Sequence, residues 1–272
     1  EATVAKSYRH FDQDYTLFGA EIDVDDGNLF IGAEDPDISG NVNYERRWGN
    51  IYLHDAQSGT ELYDFAFDVA DRSASPLRAN VLDASGTDDL KVSWGEDVSI
   101  DGNWAVAGAL NSTKDDDTHT DDVALVQVID VTQRTIARQL HSPDLPNPYN
   151  TTYFNNIENQ FGYTLAVSGD YALVGDPSAN LDSNNDFREN TGRAYLYDLR
   201  TGDLKARINN SDQLTDSSNA FVSTEMAMHG DAAIIGAYLY DLTSAKGGAT
   251  PMSLNETLNL ADQIPPVLQA QG

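Results

Sequence analysis

The 272-residue sequence predicts an all-β protein built from a small antiparallel sheet that recurs along the chain. One observation behind this prediction is a repeated hairpin motif. It reads FGAEIDVDDGNLFIGAE from Phe18, WGEDVSIDGNWAVAGAL from Trp94 and FGYTLAVSGDYALVGDP from Phe161, with a degenerate copy from Val222. The other observation is a strand–turn–strand segment after each of the first three copies. All-β folds routinely reach this length as one domain, so we expect a single domain over residues 1–272.

The first half of each copy predicts two strands joined by a tight turn. Apolar residues alternate with polar ones, which is typical of a strand with one buried face. These pairs are Ile22 and Val24, Val98 and Ile100, Leu165 and Val167, and Met226 and Met228. The turns read Asp26-Gly27-Asn28, Asp101-Gly102-Asn103, Ser168-Gly169-Asp170 and His229-Gly230-Asp231. Gly and Asn tolerate the positive φ that two-residue hairpin turns require.

The second strand of each hairpin ends in a glycine fourteen residues after the first residue of the copy. These glycines are Gly32, Gly108, Gly175 and Gly236. Small residues dominate this strand, which suits a position where neighbouring backbones approach closely.

The second half of the unit predicts two further strands. It reads GNIYLHDAQSGTEL from Gly49, ALVQVIDVTQRTI from Ala124 and GRAYLYDLRTGDL from Gly192. Each unit therefore has four antiparallel strands, and a tandem series of such units is typical of the blades of a β-propeller.

The fourth copy and the chain ends leave alternatives open. Residues 237–241 form either the third strand, with its preceding loop deleted, or a loop before a third strand at residues 252–254. Residues 4–11 and 256–260 are candidate outer strands. The four units can build a four-bladed ring, a partial propeller completed by oligomerisation, or a fragment of a larger ring. A spare terminal strand could also pair with another subunit.

The repeats resemble the FG-GAP repeats of integrin α-subunit-like β-propellers. The third copy is the nearest match, from Phe161-Gly162 through Tyr195-Leu196-Tyr197-Asp198 to Thr201-Gly202. The resemblance covers residues 18 to about 262, divided into repeats 18–93, 94–160, 161–221 and 222–262. Residues 1–17 would form an outer or closing strand and residues 263–272 a tail. The family usually has seven blades. Its calcium loop lies between the first two strands, where this chain has only a short turn, so that site does not transfer.

Composition excludes several classes of partner. The formal charge is -28, and only 16 Lys and Arg residues are spread along the chain, so nucleic acid is not an expected ligand. The longest apolar run, residues 232–240, is about half of a membrane span, so no membrane insertion is expected. The absence of Cys excludes disulfides and thiolate metal sites. The first residue is Glu1 and no signal-like segment follows, which suggests a mature or excised chain.

Three acidic loops between the second and third strands are candidate calcium sites. Ca²⁺ prefers six to eight oxygen ligands, and carboxylates at alternate positions of a loop can converge on one ion. The candidate ligands are Asp35, Asp37, Ser39 and Glu45 in the first loop, Asp115, Asp117 and Asp121 in the second, and Asp182, Asn184, Asp186 and Glu189 in the third. The alternative is that these loops are simply solvated acidic segments.

No catalytic residues are predicted, because nucleophile-elbow, phosphate-loop and metalloprotease motifs are absent from the sequence. Four aromatic residues are candidate ligand contacts: Trp48 in an acidic loop, and Tyr149, Tyr153 and Phe154 in the long segment between the second and third units. Trp94 and Trp104 occupy repeat positions that favour core packing.

The sequence therefore predicts a secreted or cell-surface, non-enzymatic binding or adhesion module, stabilised by Ca²⁺, that recognises an extracellular protein or glycan. One alternative is a structural subunit of an extracellular filament or coat, with homo-oligomers formed through terminal strands. The other is a propeller-type carbohydrate-active enzyme.

Overall fold

A computed structural model describes residues 17–34, 50–65, 92–111, 124–144, 160–177, 179, 192–208, 225–236, 238–248 and 252–254. These residues form sixteen β-strands and one short helix. The strands assemble into four successive sheets in chain order, which confirms the all-β prediction.

The first two sheets are four-stranded antiparallel meanders. Sheet 1 contains β1 (Leu17–Asp25), β2 (Asn28–Glu34), β3 (Asn50–Asp55) and β4 (Glu61–Asp64). Sheet 2 contains β5 (Val92–Asp101), β6 (Trp104–Asn111), β7 (Leu125–Asp130) and β8 (Thr135–His141). In both sheets a register shift interrupts the pairing of the first strand with the second, between Phe18 and Ile22 and between Trp94 and Val98.

The last two sheets differ in strand number from the predicted four. Sheet 3 contains β9 (Leu165–Ser168), β10 (Tyr171–Asp176), β11 (Arg193–Asp198), β12 (Asp203–Ile208) and a fifth strand, β16 (Met252–Leu254). Sheet 4 contains β13 (Met226–His229), β14 (Ala232–Ile235) and β15 (Tyr238–Asp241).

The structure decides which segment is the third strand of the fourth copy. β15 is the third strand, directly after Gly236 and residue 237, so the preceding loop is deleted. Helix α1 (Thr243–Gly247) then buries Ala245 against the core between sheets 3 and 4. Finally β16 pairs with β12 in parallel, so Met252–Leu254 belongs to sheet 3 and the interpretation as the third strand of sheet 4 is wrong.

Successive sheets stack face to face through their first strands. β1 contacts β5, β5 contacts β9, and β9 contacts β13. A separate apolar core fills each of the three gaps, and the residues Phe30, Val106 and Leu173 mark the cores between sheets 1 and 2, 2 and 3, and 3 and 4. This series of stacked meanders, with the first strands innermost, is the blade arrangement of a β-propeller.

The tight turns between first and second strands are of two kinds. Asp26 and Gly27 both have positive φ, at 42° and 79°, as a type I′ turn requires. In the other three turns only the first residue, Gly102, Gly169 or Gly230, has positive φ, as in a type II′ turn. The sequence alignment of Asp26-Gly27-Asn28 with Asp101-Gly102-Asn103 is therefore wrong by one residue, because Asp26 occupies the place of Gly102.

Two of the repeated glycines lie where successive sheets touch backbone to backbone. A Cβ atom added to Gly32 would lie 2.3 Å from the carbonyl oxygen of Gly95, and one added to Gly108 would lie 2.3 Å from that of Gly162. Both contacted glycines have positive φ, at 87° and 95°. In these two gaps the repeated glycine of the second strand therefore packs on the glycine that opens the next copy, and this confirms the close approach that the small residues predict. The expectation that these glycines end their strands is wrong, since β2 continues to Glu34 and β6 to Asn111.

A ladder of side-chain hydrogen bonds joins the innermost strands. The turn amides of Gly102, Gly169 and Gly230 each donate to the last residue of the preceding sheet's first strand. The acceptors are Asp25 Oδ2 at 2.7 Å, Asp101 Oδ2 at 2.7 Å and Ser168 Oγ at 2.9 Å, respectively. Further along the strands, Asp23 Oδ2 accepts from the Ile100 amide at 2.8 Å, and Ser99 Oγ accepts from the Val167 amide at 3.1 Å.

One expected buried pair lies on the surface. Ile22 and Val24 of β1 are exposed, whereas their counterparts Val98 and Ile100 are buried by sheet 1. The prediction that both residues of the first copy face the core is therefore wrong, because no described sheet precedes sheet 1 and covers this strand.

We expect Gly108→Ala to lower the free energy of unfolding by about 3 kcal/mol, because a methyl group there overlaps the Gly162 carbonyl and must separate sheets 2 and 3. Chemical denaturation measures this loss. Gly247→Ala is the matched control, since a Cβ at that position meets no atom within 4 Å. Equal stability of the two variants would contradict the backbone contact.

Candidate functional site at the loop rim

The two ends of the sheets carry very different connections. At one end, which we call the turn rim, residues 26–27, 102–103, 169–170 and 230–231 join the first and second strands. At the opposite end, the loop rim, residues 35–49, 112–124 and 177–192 join the second and third strands of sheets 1, 2 and 3. The segments that join sheets 1 and 2, sheets 2 and 3, and sheets 3 and 4 also start and end at the loop rim, because the chain builds four consecutive antiparallel strands in each of sheets 1, 2 and 3 before it leaves them. Sheet 4 has three strands, so the segment that leaves it, residues 242–251, starts at the turn rim. Apart from this return from sheet 4 to sheet 3, the long segments between sheet strands therefore arise from the loop rim.

A cluster of charged residues lies at the loop rim of sheet 3. Asp176 ends β10 and faces Arg193, the first residue of β11, across the strand pair, and both side chains are buried. Asp144, which follows β8, forms ion pairs with Arg193 and Arg207, the latter at 3.0 Å between Oδ1 and Nε. Tyr195 also donates its hydroxyl hydrogen to Asp144 Oδ2 at 2.8 Å. The chain leaving sheet 2 is thereby fastened to sheet 3.

The protonation states in this cluster follow from its contacts. Burial opposes the ionisation of Asp144, but hydrogen bonds and charge from Arg193, with hydrogen bonds from Tyr195 and Arg207, hold its pKa below the ordinary value. Burial and the nearby charges of Asp176 and Asp144 raise the pKa of Tyr195 well above its ordinary value. Asp144 is therefore a carboxylate and Tyr195 a hydrogen-bond donor at neutral pH. The cluster stabilises the fold at neutral pH and loses this contribution as the pH falls.

The segment between sheets 2 and 3 is held at its other end by aromatic packing. Phe161 is fully buried, and its ring centroid lies 5.6 Å from that of Tyr195 and 6.2 Å from that of Tyr197. The Tyr197 hydroxyl donates to the carbonyl oxygen of His141 at 2.9 Å. The described residues on either side of residues 145–159 are therefore both packed on sheet 3.

The predicted site residues all belong to segments that start and end at the loop rim, and all lie outside the described residues. They are the loop residues Asp35, Asp37, Ser39, Glu45 and Trp48, then Asp115, Asp117 and Asp121, then Asp182, Asn184, Asp186 and Glu189, and the inter-sheet residues Tyr149, Tyr153 and Phe154. The structure brings their flanking strands to a common rim. Within the ranges that it describes, no group of three or more His, Asp or Glu side chains is arranged to hold a metal ion.

A second acidic group, Asp97, lies on the innermost strand of sheet 2 and bonds to the first strand of sheet 3. Asp97 accepts hydrogen bonds from the amides of Leu165 and Val98, the latter at 2.8 Å. Burial raises its pKa to about 7, the hydrogen bond from Leu165 opposes the increase, and the charges of Glu21 and Asp23 add to it. Asp97 therefore takes up a proton in the folded protein near neutral pH.

Sequence reasoning missed both the Asp144 cluster and Asp97. Arg193 directly before the apolar run AYLY of β11 was a usable signal, because a buried guanidinium requires a carboxylate partner. Asp144 itself has no local signal, since its partners are 49 and 63 residues away. Trp104, predicted to pack in the core, is partly buried against the core between sheets 2 and 3, and its Nε1 donates to Asp170 at 3.1 Å.

Comparisons with known proteins give a distant likeness in fold. No protein-family model and no curated protein sequence matches the chain, so FG-GAP membership stays a prediction from the motifs. Among solved structures, the chain is similar to the Pan2 WD40 domain of Neurospora crassa, with 12% sequence identity and a TM-score of 0.30. The match covers 89% of this chain and 81% of that domain. At these values the likeness decides neither family nor function. In the described ranges, no helix has the length and apolar character of a membrane span.

We expect Asp144→Ala to lower the free energy of unfolding by about 3 kcal/mol, because it leaves the buried Arg193 guanidinium without this partner. Denaturation at neutral pH measures the change, with Asp203→Ala on the exposed end of β12 as the control. If Asp144→Ala loses no more free energy of unfolding than Asp203→Ala, the Asp144 cluster does not stabilise the junction between sheets 2 and 3.

Asp97 should give the protein an unusual pH dependence. The pKa of Asp97 is about 7 in the folded protein and 3.8 in the unfolded chain, so the folded state binds the proton more tightly. The stabilisation that results from this protonation is therefore fully present below pH 4. As the pH rises from 4 to 7, the free energy of unfolding of the wild type should fall, relative to that of Asp97→Asn, by up to about 1.4 kcal/mol per pH unit. Denaturation over this range measures it, and Asp26→Asn in the exposed turn is the control. Parallel pH profiles of the wild type and Asp97→Asn would contradict the assignment.

Proposed function

We propose that the chain is a non-enzymatic binding module that recognises a protein or a glycan through the segments at its loop rim. The supporting observation is the asymmetry of the fold: the first and second strands are joined at the turn rim by two-residue hairpins, whereas the long loops within sheets 1 to 3 and the segments that lead on to the next sheet start at the loop rim. Segments positioned by a rigid scaffold are where recognition concentrates in proteins. The stacked sheets supply that scaffold.

Residues 145–159 are the strongest candidate for the recognition segment. The Asp144 cluster fixes their start and the buried Phe161 fixes their end. Anchoring at both ends limits the conformational freedom that the segment loses on binding, and this favours affinity. Tyr149, Tyr153 and Phe154 provide large amphipathic side chains of the kind that dominate binding surfaces.

Charge narrows the ligand class. A chain with a net charge of -28 repels acidic ligands at low ionic strength, so a neutral glycan or a protein with a basic surface suits it best. Ca²⁺ bound by the acidic loops would reduce the repulsion among their carboxylates and order the rim around the ligand. Calcium sites on exposed loops are common in extracellular modules, and we therefore propose a secreted or cell-surface setting and a role in adhesion.

The proposal is tested with a glycan array and a pull-down from basic extracellular proteins, each in Ca²⁺ and in EDTA. We expect ligand binding that weakens roughly tenfold or more when Tyr149, Tyr153 and Phe154 are replaced together by Ala. Tyr63→Ala, an exposed aromatic residue on the outer strand β4, is the matched control and should bind like the wild type.

Two outcomes would contradict separate parts of the proposal. Binding that survives the triple substitution would exclude residues 145–159 as the recognition segment. A melting temperature that is the same in Ca²⁺ and EDTA would remove calcium from the proposal, because a ligand that binds the folded state must raise its stability.

A further inference from the structure

One apolar contact is repeated in all three gaps between sheets. The third residue of each second strand packs on the alternating apolar pair of the next sheet's first strand. Phe30 lies in one core with Val98 and Ile100, Val106 with Leu165 and Val167, and Leu173 with Met226 and Met228. The three second-strand residues are fully buried.

The residues for a fourth contact of this kind are present on sheets 4 and 1, at the two ends of the series of sheets, but they do not touch each other. Ile234 occupies the position of Phe30, Val106 and Leu173 in β14, and its side chain is 41% exposed. Ile22 and Val24 occupy the positions of the alternating pair in β1, and they are 57% and 59% exposed. These three residues are half of the six large hydrophobic side chains that are exposed in the described residues.

We propose that a second copy of this chain supplies the missing contact, with Ile234 of one copy packed on Ile22 and Val24 of the other. Exposed apolar residues that match one another in this way mark an interaction surface. The chain's own Ile234 does not cover its own Ile22 and Val24, because all three are exposed in the same molecule. Ile234 is therefore complementary to the pair Ile22 and Val24, and a second copy of the chain carries both surfaces.

The contact is heterologous, because the two copies use different faces, and such contacts close into rings when the rotation permits. Two copies joined at both ends give eight sheets, which is within the range of about four to eight blades found in propellers. Three copies would exceed it. We therefore infer a two-copy ring and not a longer assembly.

On the face of sheet 1 that points away from sheet 2, the exposed apolar residues are those of the innermost strand, β1. On the middle strands Ile31, Ala33 and Tyr52 are already buried and pack with Phe18 and Leu29. The inner strand is also where the hydrogen-bond ladder joins successive sheets within the chain. The proposed contact therefore involves the innermost strands and the adjacent β14, which is the region where neighbouring sheets approach most closely.

Sedimentation velocity and light scattering of the full chain over a wide range of concentration test the proposal. We expect a mass of twice the chain, and single-chain mass for either Val24→Lys or Ile234→Glu, because each introduces a charge into the apolar contact. An equimolar mixture of these two variants should regain the two-chain mass. In the mixed pair, one contact keeps the native residues and the other joins the introduced lysine to the introduced glutamate.

Ile136→Lys is the control, because Ile136 is a similarly exposed apolar residue on the outer strand β8. It should leave the two-chain mass unchanged. Single-chain mass for the wild type at all concentrations would overturn the proposal, as would two-chain mass for Val24→Lys and Ile234→Glu separately. A mass above two chains would overturn the eight-sheet ring.

Discussion

The close approach of glycine backbones between sheets is the constraint on which the architecture depends. Gly32 and Gly108 lie directly on Gly95 and Gly162 of the next sheet, so no side chain separates the strands at this point. The innermost strands can then come close enough for Asp25 and Asp101 to accept hydrogen bonds from the next sheet's turn amides. In the first two gaps, a pair of glycines thus permits both the polar ladder and the apolar core.

Much of this fold could be predicted from the sequence, because its determinants are local and repeated. The period of two, the turn glycines and the glycine at a fixed distance from each Phe-Gly or Trp-Gly pair predict the hairpins and their order. The departures occur where one copy lacks a neighbour. Ile22 and Val24 have the pattern of buried residues, and only the position of sheet 1 at the end of the stack makes them exposed. Sequence periodicity describes a strand's two faces and cannot say whether a partner covers them.

The candidate site was less predictable, because its parts are distant in the sequence. The loops of the loop rim could be found from their composition and their equivalent positions in the repeats. The Asp144 cluster could not be found in this way. Asp144, Arg193 and Arg207 come from three separate segments, and nothing near Asp144 distinguishes it from the many other acidic residues. The strand β16 was considered at residues 252–254 but assigned to the wrong sheet for a similar reason, since a three-residue segment does not specify which sheet edge it joins. Long-range pairing, not local propensity, decides these features.

The parallel pairing of β16 with β12 determines how the molecule would bear mechanical load. The chain leaves sheet 3, builds sheet 4 and returns through α1 to the outer edge of sheet 3. Tension applied at the carboxyl end would therefore enter the molecule at sheet 3, and sheet 4 would carry none of it until β16 detached. For a protein that is pulled while bound, this arrangement protects the smallest sheet from unravelling first.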